Sequence, residues 1–339
     1  MKQSILLILA ILSLMITGCD SEVTISVDAD AQYPRWLRDT GVVAQQTSGI
    51  AFISSSENKK LFFIADDIGK IHRLTITNDT VFTFETLQFS SQVENMLTPF
   101  PKRDFEDIAY DRKAKQLYLS VEGNGPDHKK FTKIFKVGLS GTPDKATRIT
   151  SLKPLDITPK DELLRHVAPN SGFEGLAVDD KYLYLGLEGF RPDVLFSDST
   201  MIYIVDKKSL TIEKIISTRE YGVGSITGLY CDAPRSVYVL DRNNRRLLHL
   251  NLSDKLNVMS TSSVFLDNPI PGYPSLKYIM ALESITFDDK HNAYMIDDPW
   301  TSFFVPGEQT LSQLDSVTIK NFEAFVPIIH KYTIKKTKH

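Results

Sequence analysis

Cysteine is nearly missing from this chain: Cys19 and Cys231 are the only two. That excludes a disulfide framework and a CxxC-type zinc ligand set. No HExxH occurs, and the glycines of Gly222-Val223-Gly224-Ser225-Ile226-Thr227-Gly228 have the wrong spacing for a nucleophile elbow or a dinucleotide fingerprint. Positive charge is not in excess either. Lys and Arg number 39 against 42 Asp and Glu, so a basic stripe for nucleic acid is excluded. Lys331, Lys335, Lys336 and Lys338 read as a solvated tail. No apolar run reaches the roughly 18 to 20 residues of a membrane-spanning helix. No long helical period is present; a short helix is expected only within 159–167.

The start of the chain carries an address. Met1-Lys2-Gln3 is short and basic, and Ser4 to Met15 is apolar and uncharged, which is the pattern of an export signal. Ile16-Thr17-Gly18-Cys19 resembles the bacterial lipobox. The resemblance implies that residues 1–18 are a signal peptide and that Cys19 is acylated and becomes the N-terminus. Residues 19–30 then read as lipidated N-terminus and polar tether, and 31–339 as one domain. Several acyl chains would anchor it stably in the cell envelope, on the periplasmic or cell-surface face. Asp20 resembles an inner-membrane retention signal. An ordinary secretory signal with a chance cysteine is the alternative.

What the chain does contain is a repeat. Ser48-Gly49-Ile50-Ala51-Phe52 returns as Glu106-Asp107-Ile108-Ala109-Tyr110 and Glu174-Gly175-Leu176-Ala177-Val178. It returns again as Thr227-Gly228-Leu229-Tyr230-Cys231 and Glu283-Ser284-Ile285-Thr286-Phe287. An apolar stretch ending in an acid comes after each copy: 61–66, 117–122, 183–188, 236–241 and 292–297. Third strands are expected at 70–74, 133–137, 201–205, 246–250 and 329–332, and fourth strands at 81–89, 147–152, 212–218 and 263–266. β-Branched and aromatic runs bounded by Asp, Asn, Gly and Lys are strand chemistry. The pattern predicts an all-β fold, a β-propeller of five four-stranded blades. A sixth, degenerate blade drawn partly from 23–45 is the alternative. The fifth copy lacks a fourth strand, so residues 23–27 or 42–45 are expected to pair with the C-terminal strand and close the ring.

Asn170 to Val178 with Leu183-Tyr184-Leu185 and Glu188, Asp104 to Ala109, and Ala281 to Thr286 closing on Asp297-Asp298 carry a resemblance. Together they resemble the "esterase-like activity of phytase" propeller family over roughly residues 45–335. The SdiA-regulated family of exported propellers is a neighbour with a similar repeat core. The first resemblance implies phosphoester or ester hydrolysis. The Asp- and Ala-rich N-terminal signature of alkaline β-propeller phytases is missing, so phytate is not implied as the substrate.

In each repeat the first motif opens one strand and the acid closes its antiparallel neighbour. Both therefore fall at the same end of the blade, and five blades gather them at one mouth. Glu106, Glu174 and Glu283, with Glu122 and Glu188, are the candidate metal ligands, and Asp66, Asp241 and Asp297 share the position. Converging carboxylates raise one another's pKa or hold a cation, and hard oxygen ligands suit Ca²⁺ or Mg²⁺. The alternative is that each acid only caps its own blade. Arg103, Arg165, His166, Arg191 and Arg242 are candidate contacts for an anionic small molecule, as is Lys102; their plainer role is to pair with the acids. His72 and His249 are expected to be structural, and Trp36 and Trp300 to line a mouth or pack. Two functions are consistent with these residues. One is a lipid-anchored binding or scaffold propeller recognising a ligand or protein partner at its mouth. The other is a Ca²⁺-dependent ester or phosphoester hydrolase. No catalytic nucleophile is identified.

Overall fold

The computed structural model describes residues 23–39, 46–189, 200–299 and 302–338. Five blades form from successive antiparallel strands. Blade 1 is Thr47–Ser55, Lys59–Asp66, Lys70–Thr77 and Val81–Thr86. Blade 2 is Asp104–Asp111, Gln116–Glu122, Lys133–Leu139 and Arg148–Pro154, with Gln88–Phe89 added in parallel at its edge. Blade 3 is Phe173–Val178, Tyr182–Leu187, Met201–Asp206 and Ile212–Ser217. Blade 4 is Ile226–Ala233, Ser236–Asp241, Arg246–Leu252 and Val258–Phe265. The first strands contact one another in order, and the fifth, Leu282–Phe287, returns to the first, so they ring the axis.

Blade 5 closes the ring. Leu282–Phe287, Asn292–Asp297 and Ile328–Lys338 are followed outward by Val23–Ala29, which pairs Val23 with Lys338 and Ala29 with Tyr332. Two expectations conflicted over these residues, and the strand prevails over the tether. Val23 and Ile25 bury their side chains against blade 5, and the pairing hides an edge that would otherwise be open. Lys331, Lys335 and Lys336 are likewise no free tail. Lys331 is buried and bridges Asp30 at 2.8 Å and Asp79 at 3.2 Å, while Lys336 reaches Asp232 at 2.7 Å. The other proposed closing segment, 42–45, lies outside the described residues.

Packing explains the strand patterns. The second strands are sandwiched between blades and read as continuous apolar runs; Phe62, Phe63, Ile64 and Ala65 are all fully buried. The outermost strand Val258–Phe265 alternates with one face in water. Five apolar clusters fill the five gaps between blades, and the one joining Tyr294 and Ile296 to Ile50 and Phe62 completes the circle. Lys160–Leu163 is the short expected helix. Helices not expected from the sequence are Ser91–Leu97, His128–Phe131 and, in the insertion of blade 5, Glu308–Leu311 and Ser316–Glu323; the last is capped by Asp315 and buried through Phe322, against which Trp36 packs edge-on at 4.8 Å. Trp36 is thus a packing residue, and Trp300 lies outside the described residues. Among the described residues no helix is long and apolar enough to cross a membrane.

Candidate functional site at the carboxylate mouth

The repeat's first position is a β-bulge in every blade. The register of the inner strand against the second strand slips between Thr47 and Gly49, Phe105 and Ile108, Phe173 and Gly175, Ile226 and Gly228, and Leu282 and Ser284. A bulge leaves its extra residue outside the ladder and re-aims the side chain. Ser48, Glu106, Glu174, Thr227 and Glu283 are the residues so placed. The two hydroxyls tie blades together: Ser48 donates to the Phe105 carbonyl, and Thr227 to that of Leu282 at 2.7 Å. Among the described residues the three glutamates have no such hydrogen bond to a neighbouring blade's carbonyl.

Just below, the inner strands approach closely. A Cβ on Gly49 would stand 2.7 Å from the Ile108 nitrogen, and one on Gly228 would stand 3.0 Å from the Ser284 Cα. Blade 2 has Asp107 at the corresponding position. Its carboxylate accepts from the Leu176 N–H at 2.7 Å, the Ile108 N–H at 2.8 Å and the Ser284 hydroxyl at 2.7 Å. Ser284 in turn accepts from the Ile50 N–H at 3.0 Å. Asp107 thus knits four blades at the axis and closes off the carboxylate end. A cavity of about 290 Å³ opens at the other end.

Asp104, Glu106 and Glu122 form the tightest group. One carboxylate oxygen from each lies within 4.8 Å of the others. Asp104 pairs directly opposite Glu122 in the ladder, accepts from Asn124 at 2.6 Å, and meets Lys102 at 2.5 Å. Lys102 also reaches Asp67 at 3.1 Å. A second group surrounds Arg242, which donates to Glu188 at 2.7 Å and to Glu283. Glu174 and Asp298 stand in the field of this group.

Acids outnumber cations here. Burial is the main cause that pushes the Glu122 and Glu283 carboxyls up to about 8 and Asp67 up to about 6. Neighbouring carboxylates add to it at Glu122, while Arg242 opposes it at Glu283. Glu106, Glu174 and Asp298 are held well above the usual carboxylate range, again by burial first and by neighbouring carboxylates second. Glu122 Oε1, Glu174 Oε2, Asp67 Oδ1 and Asp298 Oδ1 are buried without a hydrogen-bond partner among the described residues. Buried acceptors left without donors are costly, and hard carboxylate oxygens facing one another fit a divalent cation with oxygen coordination.

The structure brings together Glu106, Glu122, Glu174, Glu188 and Glu283. It separates the other second-strand acids. Asp66 accepts from the Lys70 N–H at 2.6 Å and bonds His72 at 2.9 Å; Asp241 takes Arg246 at 2.8 Å and Asn244 at 2.9 Å. Asp297 accepts from the Tyr278 hydroxyl. These three cap their own blades. His72 is structural, as is His249, whose burial and the Lys336 charge lower its pKa to about 4. Of the expected arginine and histidine contacts for an anion, only Arg242 lies in the mouth among the described residues. Arg103 pairs with Glu94 at 2.6 Å, and Arg165 with Glu162. Arg165 and His166 belong to the connection between blades 2 and 3, where Arg165 lines a groove with Lys129, Lys130, Lys133 and Lys160. Arg191 and Cys19 lie outside the described residues. Sequence reasoning missed Asp104, Asp67 and Asp298 as site residues. Their signals were the D-x-E of Asp104 and Glu106 and the doublets Asp66-Asp67 and Asp297-Asp298.

No functionally curated protein matches the chain. Among solved structures, the PQQ-bound aldose sugar dehydrogenase of Streptomyces coelicolor is similar at 10% identity and TM-score 0.47, covering 93% of this chain and 99% of that one. The GH43_1 enzyme of Xanthomonas citri complexed with xylose gives 9%, 0.47, 88% and 89%. The soluble aldose sugar dehydrogenase of Escherichia coli, in its apo form, gives 9%, 0.43, 93% and 100%. Likenesses this distant say nothing of chemistry. The family model described as "Phytase-like: Esterase-like activity of phytase" matches residues 43–298, which hold all the mouth carboxylates, and the chain belongs to that family.

Proposed function

We propose that this is a phytase-like propeller, anchored to the envelope through Cys19, that holds Ca²⁺ at Asp104, Glu106 and Glu122 and hydrolyses an anionic ester of the phosphoester class at its mouth. The observation that carries this reading is the Asp104, Glu106 and Glu122 cluster, with Glu122 Oε1 buried and without a hydrogen-bond partner among the described residues. A bound divalent cation supplies charge for a phosphoryl oxygen and an acidified water. The chain's own residues set the rest. Asn124 and Lys102 fix the Asp104 carboxylate. Glu174, held well above the ordinary carboxylate range by burial first and by Glu188 and Glu283 second, is the candidate proton carrier. Arg242 keeps Glu188 and Glu283 in place.

A second reading, ligand binding without turnover, has its own support: Arg242 is committed to two glutamates, and Ser48 and Thr227 donate to carbonyls of neighbouring blades. The mature protein should be assayed against phosphomonoester, phosphodiester and carboxylester panels, in Ca²⁺ and in chelator. Ca²⁺-dependent phosphoester turnover, lost in Glu106→Gln, is the expected result. Ca²⁺ binding with no turnover on any panel would favour the binding reading.

A further inference from the structure

A groove of about 860 Å³ lies where blade 5 meets blade 1, and it shares no lining residue with the carboxylate mouth. It forms because the chain between the outermost strand of blade 5 and the first strand of blade 1 is laid across that seam. Arg35–Trp36 pairs with Ile328 and Ile329. Successive side chains of an extended segment face opposite ways. Tyr33 and Leu37 turn inward and cluster with Phe82 and Tyr294, while Trp36 packs on Phe322 of the helix Ser316–Glu323. Pro269, Pro271 and Pro274, from the connection between blades 4 and 5, complete the wall.

Two arginines line this groove, and neither is paired with an acid among the described residues. Arg35 makes no hydrogen bond there, and its Nε is buried without an acceptor. Arg38 donates to the Asn321 amide oxygen at 2.6 Å. The acids around them have other partners. Asp315, which lines the groove, accepts from the Val317 and Thr318 N–H groups and from the Thr318 and Tyr273 hydroxyls. Asp30 and Asp79 hold Lys331, and Asp39 accepts from the Phe84 N–H at 3.1 Å. Tyr33 Oη is likewise buried without a partner among the described residues. Burial first, and Asp79 second, push its pKa up, so it remains a donor. Buried donors without acceptors are costly, and a guanidinium fork matches the two oxygens of a carboxylate.

We infer that this groove is a second ligand site, built for a small aromatic carboxylate. The carboxylate pairs with the Arg35 guanidinium, Arg38 adds its charge, and the ring lies between Trp36 and the proline wall. The volume falls in the range of small-molecule sites, and flat apolar walls suit a ring. The site goes beyond the chemistry proposed for the mouth and needs no metal.

Calorimetric titration of phenylacetate into the mature protein in chelator tests it, with phenylacetamide and acetate as controls. Chelator removes any Ca²⁺ at the mouth, which could itself take a carboxylate. Phenylacetate should bind. Phenylacetamide, which lacks the charge, and acetate, which lacks the ring, should each bind about tenfold more weakly. Arg35→Gln should lose about tenfold in phenylacetate affinity and melt as the parent does, since its guanidinium bonds nothing among the described residues. Arg35→Lys should recover only part of that loss, because an ammonium lacks the fork. Arg38→Gln, at an exposed position, should weaken binding several-fold. Glu106→Gln should bind phenylacetate like the parent. No binding at millimolar phenylacetate, equal affinity for acid and amide, or parent-like binding in both arginine variants would overturn the site. Loss of binding in Glu106→Gln would overturn it too, by moving the carboxylate to the mouth.

Discussion

The two sides of the mouth are built from the same repeat and end in different states. On the side of blades 3 to 5, Arg242 lies between Glu188 and Glu283 and bonds both. On the side of blade 2, Asp104, Glu106 and Glu122 face one another, and their nearby cation, Lys102, is shared with Asp67. On one side a guanidinium bonds two of the carboxylates, while Glu174 Oε2 and Asp298 Oδ1 beside it have no hydrogen-bond partner among the described residues; on the other, three carboxylates converge and Glu122 Oε1 has none. Bulge and strand end are the same in both, so the difference lies in the residues just after the second strand. Arg242 comes directly after Asp241, whereas Gly123 and Asn124 come after Glu122. A cluster left short of positive charge in this way is where an external cation gains most.

The largest effect should come from removing the internal cation. Arg242→Met leaves Glu188 and Glu283 without their partner in a buried setting, and should cost about 3–5 kcal/mol in the metal-free protein. Urea denaturation in chelator measures it. If the variant were as stable as the parent, the two sides of the mouth would not differ as described.

The next effect is pH dependence. In the folded state Glu122 and Glu283 titrate near 8, against an ordinary 4.5. Between these values the folded protein holds protons that the unfolded chain has released. Stability of the metal-free protein should therefore fall as pH rises from about 5 to 8, by roughly 3 kcal/mol for each of the two groups. Saturating Ca²⁺ should flatten the slope, because it favours the ionised carboxylates. Melting curves across this range in chelator decide it, and a slope of opposite sign would mean the acids are already satisfied.

The smallest effects belong to arginines outside the mouth. Arg103→Ala and Arg165→Ala break partly exposed pairs with Glu94 and Glu162. Each should change stability by less than about 1 kcal/mol and leave the Ca²⁺ response intact. A lost response in either variant would extend the site beyond the mouth.

The blades were legible because each repeats the same first-strand motif and the same apolar second strand ended by an acid. The second strands 236–241 and 292–297 share Tyr at the third place and Asp at the sixth, with apolar residues at the second, fourth and fifth. The glutamates of the mouth were legible because register puts equivalent residues at equivalent places. The fate of the second-strand acids was not. Asp66 and Glu122 hold the same repeat position, but a shorter side chain, with His72 and the Lys70 N–H in reach, turns Asp66 back into its own blade. The arginines were misplaced because adjacency in sequence does not fix direction. Arg103 and Glu106 are three residues apart in and beside one strand, and Arg103 leans instead over Gly69 toward Glu94. Asp107 at the axis could not be read from spacing, since its partners Ser284 and Leu176 come from blades distant in the chain.

Calorimetric titration of Ca²⁺ into metal-stripped protein, parent beside the Glu106→Gln, Glu122→Gln double variant, tests the central claim most directly. The parent should bind Ca²⁺ with measurable heat, and its melting temperature should climb with the logarithm of Ca²⁺ concentration once the site is saturated. The double variant should give no heat, and without metal it should melt higher than the parent because carboxylate repulsion is relieved. No heat and no shift in the parent at millimolar Ca²⁺, or equal heats in the two proteins, would contradict the account.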